Sequence, residues 1–182
     1  GKNSGSNTAV EGADIAVKDA WKLTGGDSRI IVAIIDSPVM YDHPDLKANM
    51  WKNEKEVPNN GVDDDGNGYV DDIYGWNCES RNGNISWSGK NSSGHGTHVA
   101  GIVGAVNGNG TGVCGVAGGT GNGDGVRLMN CQIFEGKNTG TSHTTAIAFQ
   151  YAADNGACIA QCSFGYENGT FGSDAEYAVP YG

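Results

Sequence analysis

Hydrophobic and polar positions along the chain follow two periods in turn, which predicts alternating strands and helices. Residues 29–36, RIIVAIID, form a continuous β-branched run of the kind that is buried on both faces of a parallel sheet. Apolar runs at 72–77, 125–134 and 157–165 predict three further strands. Strands that alternate with helices indicate an α/β fold with a parallel sheet.

The segments between these runs carry helical spacing and helix stop signals. Residues 13–26 end at Gly-Gly, and residues 141–156 end at Asn-Gly. Residues 98–106, HVAGIVGAV, have Ala and Gly on every side, which is typical of a helix that lets two backbones approach closely. Residues 172–179 predict the start of one more helix. Helices are therefore expected between most of the predicted strands.

Length and charge exclude several classes of protein. The 182 residues fit one domain over 13–182, preceded by a flexible polar lead-in at 1–12. No apolar run approaches the roughly 18 residues of a membrane span. A formal net charge of −10 argues against binding nucleic acid through its phosphates, and it fits a secreted or cation-binding protein. No signal peptide is visible at the start.

The number and spacing of the cysteines say less about the class of protein than length and charge do. The chain has five cysteines, and none lies in a CxxC pair. We expect most of them to be small buried apolar residues, since free Cys packs as one. One disulfide is compatible with the count, and the sequence does not choose its partners.

Asp36 and His95 are the candidate catalytic residues. Asp36 ends the first predicted strand, where a buried carboxylate needs a partner, and a histidine ring N–H is the natural one. The alternative is an Asp that only caps the following turn. His95 and His98 also form an H-x-x-H pattern, but the Glu of the zinc-protease motif H-E-x-x-H is absent. A metal-dependent hydrolase that uses these two histidines is therefore the less favoured hypothesis.

Three segments resemble a known family. VAIIDSPVMYDHPDL at 32–46 and GHGTHVAGIVGAVNGNGTGVCGVAG at 94–118 are similar to the Asp and His blocks of the subtilisin-like serine proteases. CIAQCSFG at 158–165 resembles the family's strand that ends in Ser-Leu-Gly. The resemblance runs from about residue 13 to the end of the chain. It implies a three-layer α/β fold, with a mostly parallel sheet between helices, which is incomplete in this chain.

The resemblance also implies roles for individual residues. Asp36 would be the triad acid, His95 the general base, and His98 a packed structural residue. The pocket and strand edge for a polypeptide substrate would be Asn138, Thr139, Gly140, Ser163, Phe164 and Gly165. Pro38 stands where the family has Gly, and its fixed φ predicts a different turn after Asp36.

The family's nucleophile block, G-T-S-M-A-x-P, has no match here. Residues 140–142 read G-T-S, but without that continuation they predict the N-cap of a helix. The family's oxyanion Asn block is missing as well. We expect the N-terminal part of a longer catalytic domain, inactive alone, whose last strand needs the rest of the domain or a second copy to cover it. The alternative is a non-catalytic calcium-binding or interaction module.

A calcium site is predicted from the residues of the acidic segment. NNGVDDDGNGYVDD at 59–72 contains D-x-D-x-N-G, which opens an EF-hand-like loop, although the closing Glu is absent. Either Asp71 or Asp72 must then supply the closing carboxylate, and we favour Asp72. The predicted ligands are Asp63, Asp65, Asn67, Tyr69 and Asp72. The alternative is a solvated acidic loop.

The resemblance implies a second Ca²⁺ site between Asp45 and the loop after the His95 helix. The ligands would be Asp45, Val106, Asn109, Thr111 and Val113. The family resemblance as a whole therefore predicts a secreted, calcium-stabilised endopeptidase.

Overall fold

The computed structural model describes residues 12–88, 93–136 and 140–165, in which helices and strands alternate except that the first two strands follow one another. In chain order the elements are α1 Val17–Ala20, β1 Ile31–Asp36, β2 Gly75–Asn77, α2 His95–Gly104, β3 Arg127–Gln132, α3 Ser142–Asp154 and β4 Ile159–Cys162. The helix expected at 172–179 lies outside the described residues.

The four strands form one parallel sheet in the order β2-β3-β1-β4. β1 lies between its two partners, with Asp36 opposite Gln132 of β3 and Ile35 opposite Cys162 of β4. Because β1 hydrogen-bonds on both sides, its β-branched run is buried, as the sequence predicted. The α/β fold with a parallel sheet is confirmed.

Alternate residues of β1 pack into two separate hydrophobic cores, one on each face of the sheet. The fold therefore has three layers, with the sheet between α2 and α3. Val32 and Ile34 pack towards α2 with Val99 and Leu128. Ala33 and Ile35 pack on the opposite face, in a cluster that includes Tyr151 of α3. Side chains alternate between the faces of a strand, so Asp36 continues the series of Val32 and Ile34 on the α2 face. This parity directs the carboxylate towards α2.

Helix α2 is thin, as predicted, but it begins earlier than expected. It starts at His95 instead of His98. A Cβ on Gly96 would lie 2.0 Å from the carbonyl oxygen of Ser37, so this position requires glycine. The close approach predicted from the small residues is confirmed.

One side of α2 is open to solvent in the described part of the chain. His98 is exposed, so among the described residues it does not pack as the structural residue that the resemblance implied. Ile102 is 54 % exposed, and both residues line an apolar groove of about 550 Å³. The groove also contains residues of 12–23, the segment around α1. The small residues of α2 therefore serve close packing on one face only.

The expectation that most cysteines are buried is also wrong. Cys78 and Cys131 are buried, whereas the other three are exposed, and all five are free thiols. Burial raises the pKa of Cys78 to about 12 and that of Cys131 well above its usual value. These two thiols pack as apolar groups in the core beside α3.

Strand β4 has one sheet neighbour, β1, among the described residues. Its residues are exposed or half-exposed, and Ile159 is 52 % exposed. The uncovered last strand expected from the sequence is therefore present in the described part of the chain. No helix in those same residues combines the length and apolar character required to cross a bilayer.

Candidate active site

The candidate acid is Asp36, the last residue of the central strand. Its side chain is fully buried at the carboxyl end of the sheet. The Ser37 backbone N–H donates to Oδ1 at 2.7 Å. A buried carboxylate keeps its charge only where donors surround it, and the hydrogen bond from Ser37 provides one.

The second donor is His95, the first residue of α2. Its Nδ1 lies 2.8 Å from Oδ1 and 3.0 Å from Oδ2 of Asp36. The carboxylate has no proton to donate, so Nδ1 carries one and Nε2 of the neutral ring is left as an acceptor. The alternative reading of Asp36 as a simple turn cap does not account for this contact.

The ring of His95 is accessible on its other side. The His95 side chain is 51 % exposed, against 1 % for Asp36. Within the described residues, Nε2 has no hydrogen-bond partner. A neutral imidazole held at Nδ1 and open at Nε2 can accept a proton from a hydroxyl, which is the role of a general base.

The turn after Asp36 accommodates Pro38. Pro38 has no N–H, and the two N–H groups that follow it are both paired. Val39 N donates to Asn130 Oδ1 at 2.9 Å, and Met40 N donates to Thr97 Oγ1 at 2.9 Å. The turn is therefore bound to both β3 and α2, and it leaves the Asp36–His95 hydrogen bond intact.

Ser142 does not take part in this pair. It is the first residue of α3, and Thr141 is the N-cap of that helix. Thr141 and Thr144 form a reciprocal capping box, with Thr144 N donating to Thr141 Oγ1 at 3.1 Å. The prediction that residues 140–142 form a helix N-cap is confirmed. No serine hydroxyl of the described residues bonds to Nε2 of His95.

The histidine pair does not form a metal site in the described residues. Nδ1 of His95 is engaged by Asp36, and His98 belongs to no group of metal-ligating side chains there. The geometry gives no support to the metal-dependent hydrolase hypothesis.

The structure brings part of the predicted substrate edge together. Phe164 follows β4, and its ring packs edge-on against Phe134, with centroids 5.6 Å apart. Gly140, at φ +70°, lies so close that a Cβ there would be 2.8 Å from the Phe134 ring. Ser163 and Gly165 are exposed beside Phe164. Asn138 and Thr139 lie outside the described residues.

Phe134 is the contact residue that sequence reasoning missed. It joins the segment before Gly140 to the segment after β4, and it lies two residues beyond the end of β3. The sequence could have indicated Phe134, because a residue just after a parallel strand lies at the same end of the sheet as Asp36.

The acidic segment folds into a closed loop around Glu56. Glu56 is buried and accepts backbone N–H groups from Asp64, Asp65 and Asp71 at 2.8–3.2 Å. Carboxylate oxygens of Glu56, Asp63 and Asp65 lie within 4.8 Å of one another. Sequence reasoning missed Glu56 because it precedes the loop template by several residues.

Asn67 and Tyr69 lie in the same loop. The Asn67 N–H donates to Asp63 and Asp65 at 3.1 Å, and its side-chain oxygen accepts from Tyr69 N at 2.8 Å. Two of the predicted ligand side chains, those of Asp63 and Asp65, therefore lie together beside the Asn67 backbone. The oxygen-rich donor set is of the kind that Ca²⁺ prefers.

Asp72 has a different set of contacts. It is fully buried and accepts from Tyr151 Oη at 2.8 Å, Asn53 Nδ2 at 2.8 Å and Asn67 Nδ2 at 3.3 Å. Burial raises its pKa, against the lowering effect of these donors. The carboxylate that groups with Asp63 and Asp65 is that of Glu56, whereas Asp72 ties the loop to α3.

The loop after α2 wraps around Asp45, as the resemblance implied. Asn109 Nδ2 donates to Asp45 Oδ1 at 2.7 Å, and Val113 N donates to Oδ2 at 2.8 Å. Val106 N donates to the Asp45 carbonyl, and Thr111 N donates to Asn109 Oδ1. Asn109 and Val113 thus present N–H donors to the Asp45 carboxylate, and Thr111 bonds to Asn109. Calcium binding at this loop stays a prediction.

The hydrogen-bonded pair of Asp36 and His95, at the carboxyl end of a parallel sheet, is typical of one class of enzyme. In α/β enzymes of this class, a buried acid orients a histidine that activates a nucleophile at the carboxyl ends of the strands. Residues 27–181 match the model of the subtilase family, peptidase S8. The chain belongs to the subtilase family.

Curated relatives from eukaryotes, archaea and bacteria are similar to this chain. Subtilisin-like protease 1 of Plasmodium berghei is 34 % identical over 94 % of this chain. The thermophilic serine proteinase of Bacillus sp. strain AK1 is 33 % identical over 89 %, and halolysin of Haloferax mediterranei is 31 % identical over 80 %. The chain spans 28 %, 32 % and 23 % of the lengths of these relatives.

Two solved structures show the same fold. The prenylagaramide maturation protease PagA gives a TM-score of 0.58 at 22 % identity, over 91 % of this chain and 46 % of that chain. A lanthipeptide protease gives 0.52 at 23 % identity, over 82 % and 32 %. The incomplete subtilisin-like α/β fold expected from the resemblance is confirmed.

Proposed function

We propose that this chain supplies the acid and the base of a subtilisin-like endopeptidase whose nucleophilic serine lies outside these residues. One observation carries the proposal. Nδ1 of His95 bonds to the buried carboxylate of Asp36, and the opposite side of the ring is open. Membership of the subtilase family makes the expected nucleophile a serine.

The catalytic cycle follows from this geometry. Nε2 of His95 takes the proton of the serine hydroxyl while the serine oxygen attacks the peptide carbonyl. Asp36 stabilises the imidazolium that forms, and the imidazolium then protonates the leaving amine. A water molecule, deprotonated by the same Nε2, attacks the acyl carbonyl; the bond to the serine oxygen breaks, the imidazolium returns the proton to that oxygen, and the second product leaves as a carboxylic acid.

The substrate is an extended polypeptide that binds at the edge which the family resemblance assigns to residues 138–140. The residues after β4, Ser163 to Gly165, form the opposite side of the pocket. The contact between Phe134 and Phe164 supports this assignment, because it joins the two segments at the end of the sheet where His95 lies. Backbone hydrogen bonds to an added strand provide affinity that depends little on side chains.

The acidic loop binds one Ca²⁺ ion in this proposal. Asp63, Asp65 and Asn67, the Tyr69 carbonyl and Glu56 are the ligands, while Asp72 holds the loop on α3. The convergence of three carboxylates within 4.8 Å supports the site, since these groups repel one another unless a cation lies between them. The ion stabilises the loop and takes no part in peptide hydrolysis.

Secretion is the setting that the relatives favour. The halolysin-like protease Nep of Natrialba magadii, 30 % identical over 80 % of this chain, is named as extracellular. A formal net charge of −10 and a loop suited to Ca²⁺ fit the same setting, where calcium is abundant.

An active-site label tests the catalytic proposal. A biotinylated fluorophosphonate, which reacts with activated serines, is expected to label the complete protein and to leave the His95→Gln variant unlabelled. The isolated chain of 182 residues is expected to stay unlabelled. Labelling of the isolated chain would place the nucleophile within it, and a complete protein without labelling would indicate a non-catalytic module.

A further inference from the structure

The N-terminus of α2, which carries His95, has no side-chain cap of its own. Its N-cap residue is Gly94, which offers no side chain to the free N–H groups of the first turn. Ser93 Oγ accepts the N–H of His95 at 3.2 Å. The next N–H along the helix, that of Gly96, is buried and requires an acceptor from elsewhere.

Ser37 supplies that acceptor from a distant part of the chain. Its Oγ accepts from Gly96 N at 2.8 Å and donates to the carbonyl oxygen of Ser93 at 3.2 Å. Ser37 is 3 % exposed, so water does not replace either bond. One hydroxyl therefore satisfies a donor inside α2 and an acceptor just before it.

The same residue also holds the acid. The backbone N–H of Ser37 donates to Oδ1 of Asp36, which is the oxygen nearest to Nδ1 of His95. We propose that Ser37 is a positioning residue that sets the geometry of the Asp36–His95 pair by capping α2 with its side chain. This inference rests on the proposed function only for its consequence in catalysis.

The surrounding contacts leave the junction little freedom. Ser37 and Gly96 approach so closely that a Cβ on Gly96 would lie 2.0 Å from the Ser37 carbonyl oxygen. Three residues after Ser37, the N–H of Met40 donates to Thr97 Oγ1 of the same helix turn. Loss of the Ser37 hydroxyl therefore leaves the Gly96 N–H without its acceptor, one residue from the contact between Asp36 and His95.

Substitution of Ser37 in the complete protein tests the proposal. Ser37→Ala removes the hydroxyl, and Ser37→Thr keeps it. Ser86→Ala is the matched control, because it removes another partly buried hydroxyl, one that accepts a hydrogen bond from Gln132 Nε2 at 2.7 Å. The readouts are kcat and KM on a peptide substrate and the ¹H NMR signal of the His95 Nδ1 proton, assigned with His95→Gln.

Ser37→Ala is expected to lower kcat by about 10- to 100-fold, because small displacements of catalytic groups have effects of this size. KM should change less than about threefold, and the Nδ1 proton signal should broaden through exchange with water. Ser37→Thr and Ser86→Ala should keep both the signal and kcat. A merely structural role would lower thermal stability in Ser37→Ala and Ser86→Ala alike, with the Nδ1 signal unchanged in both.

An Nδ1 signal in Ser37→Ala as sharp as in the unsubstituted protein would overturn the proposal, whatever happens to kcat. If Ser37→Ala does not fold, Ser37→Cys, which offers a weaker acceptor of similar volume, is expected to broaden the same signal. A sharp signal in Ser37→Cys would then be the contrary result. Absence of peptidase activity in the unsubstituted protein would refute the proposed function, while the NMR comparison would still decide the role of Ser37.

Discussion

At the scale of single residues, the chemistry depends on one buried carboxylate and one accessible ring. Asp36 is enclosed at the end of β1, and His95 is half-exposed at the start of α2. The contrast matters because a carboxylate shielded from water holds the imidazole more firmly, while the exposed ring can meet a nucleophile and a substrate.

Asp36→Asn tests this division of roles in the complete protein. The amide keeps the shape of the side chain but can hold the ring in the wrong tautomer, so we expect kcat to fall by about 10,000-fold. Steady-state kinetics on a peptide substrate measure the change. Asp42→Asn, which alters an exposed carboxylate of the same segment, should leave kcat unchanged. Equal kinetics for the two variants would contradict the assignment of the acid.

At the scale of elements, helix α2 carries glycines on two faces that differ in how closely other residues pack against them. Gly96 faces the Ser37 carbonyl, whereas a Cβ on Gly101 would meet nothing within 4 Å in the described residues. The same substitution at the two positions therefore separates the requirement for close approach from helix propensity.

We expect Gly96→Ala to destabilise the isolated chain by about 1–3 kcal/mol, as overpacking does. Gly101→Ala should instead stabilise it by about 0.5–1 kcal/mol, because alanine loses less backbone entropy in a helix. Urea unfolding of the two variants measures both values. The same sign of change in the two variants would be inconsistent with the packing of α2 described above.

The acidic loop is the second element whose stability can be tested. Its buried carboxylate, Glu56, is bonded to the backbone of the loop, and its partners Asp63 and Asp65 face the same point. A loop of this composition is stable only when the mutual repulsion of its carboxylates is offset.

Removal of calcium is expected to lower the stability of the protein. At a free concentration 100 times the dissociation constant, the ion contributes about 2.7 kcal/mol, which a chelator removes. Glu56→Gln and Asp63→Asn should lower Tm in calcium and reduce the further loss caused by chelator. Asp124→Asn, in a loop whose carboxylate bonds to Thr120, is the control. A chelator without effect on the Tm of the unsubstituted protein would refute the calcium proposal.

At the scale of the whole molecule, the described residues leave two apolar surfaces uncovered. The edge of β4 presents Ile159, and the open side of α2 presents Ile102. Unpaired strand edges and exposed apolar grooves are surfaces that other chain segments cover. We propose that the remainder of the domain covers them in the complete protein and that a second copy can do so in its absence.

The isolated chain is expected to self-associate in a concentration-dependent way through β4. Ile159→Lys should reduce this association, because a charged lysine on an edge strand disfavours pairing with another strand. Leu23→Lys, which changes an apolar residue that is 90 % exposed away from the sheet, should leave association unchanged. Sedimentation velocity at several concentrations measures both. A monomer at every concentration would argue against association through this edge.

The sequence by itself determined the elements and the chemistry that local patterns encode. The β-branched run of β1, the Thr141 cap of α3 and the small residues of α2 are all readable, because periodicity and capping act over a few residues. The H-G-T-H block pointed to His95, and the strand end pointed to Asp36. A buried carboxylate requires a partner wherever it lies, so this pairing could be predicted.

Only the tertiary structure decided which distant residues support that chemistry. Glu56 joins the acidic loop, Phe134 joins the two sides of the predicted pocket, and Ser37 caps a helix that begins 58 positions later. The exposure of His98 likewise depends on which segments cover α2. Contacts of this kind arise from the packing of elements against one another, and no local pattern of residues records them.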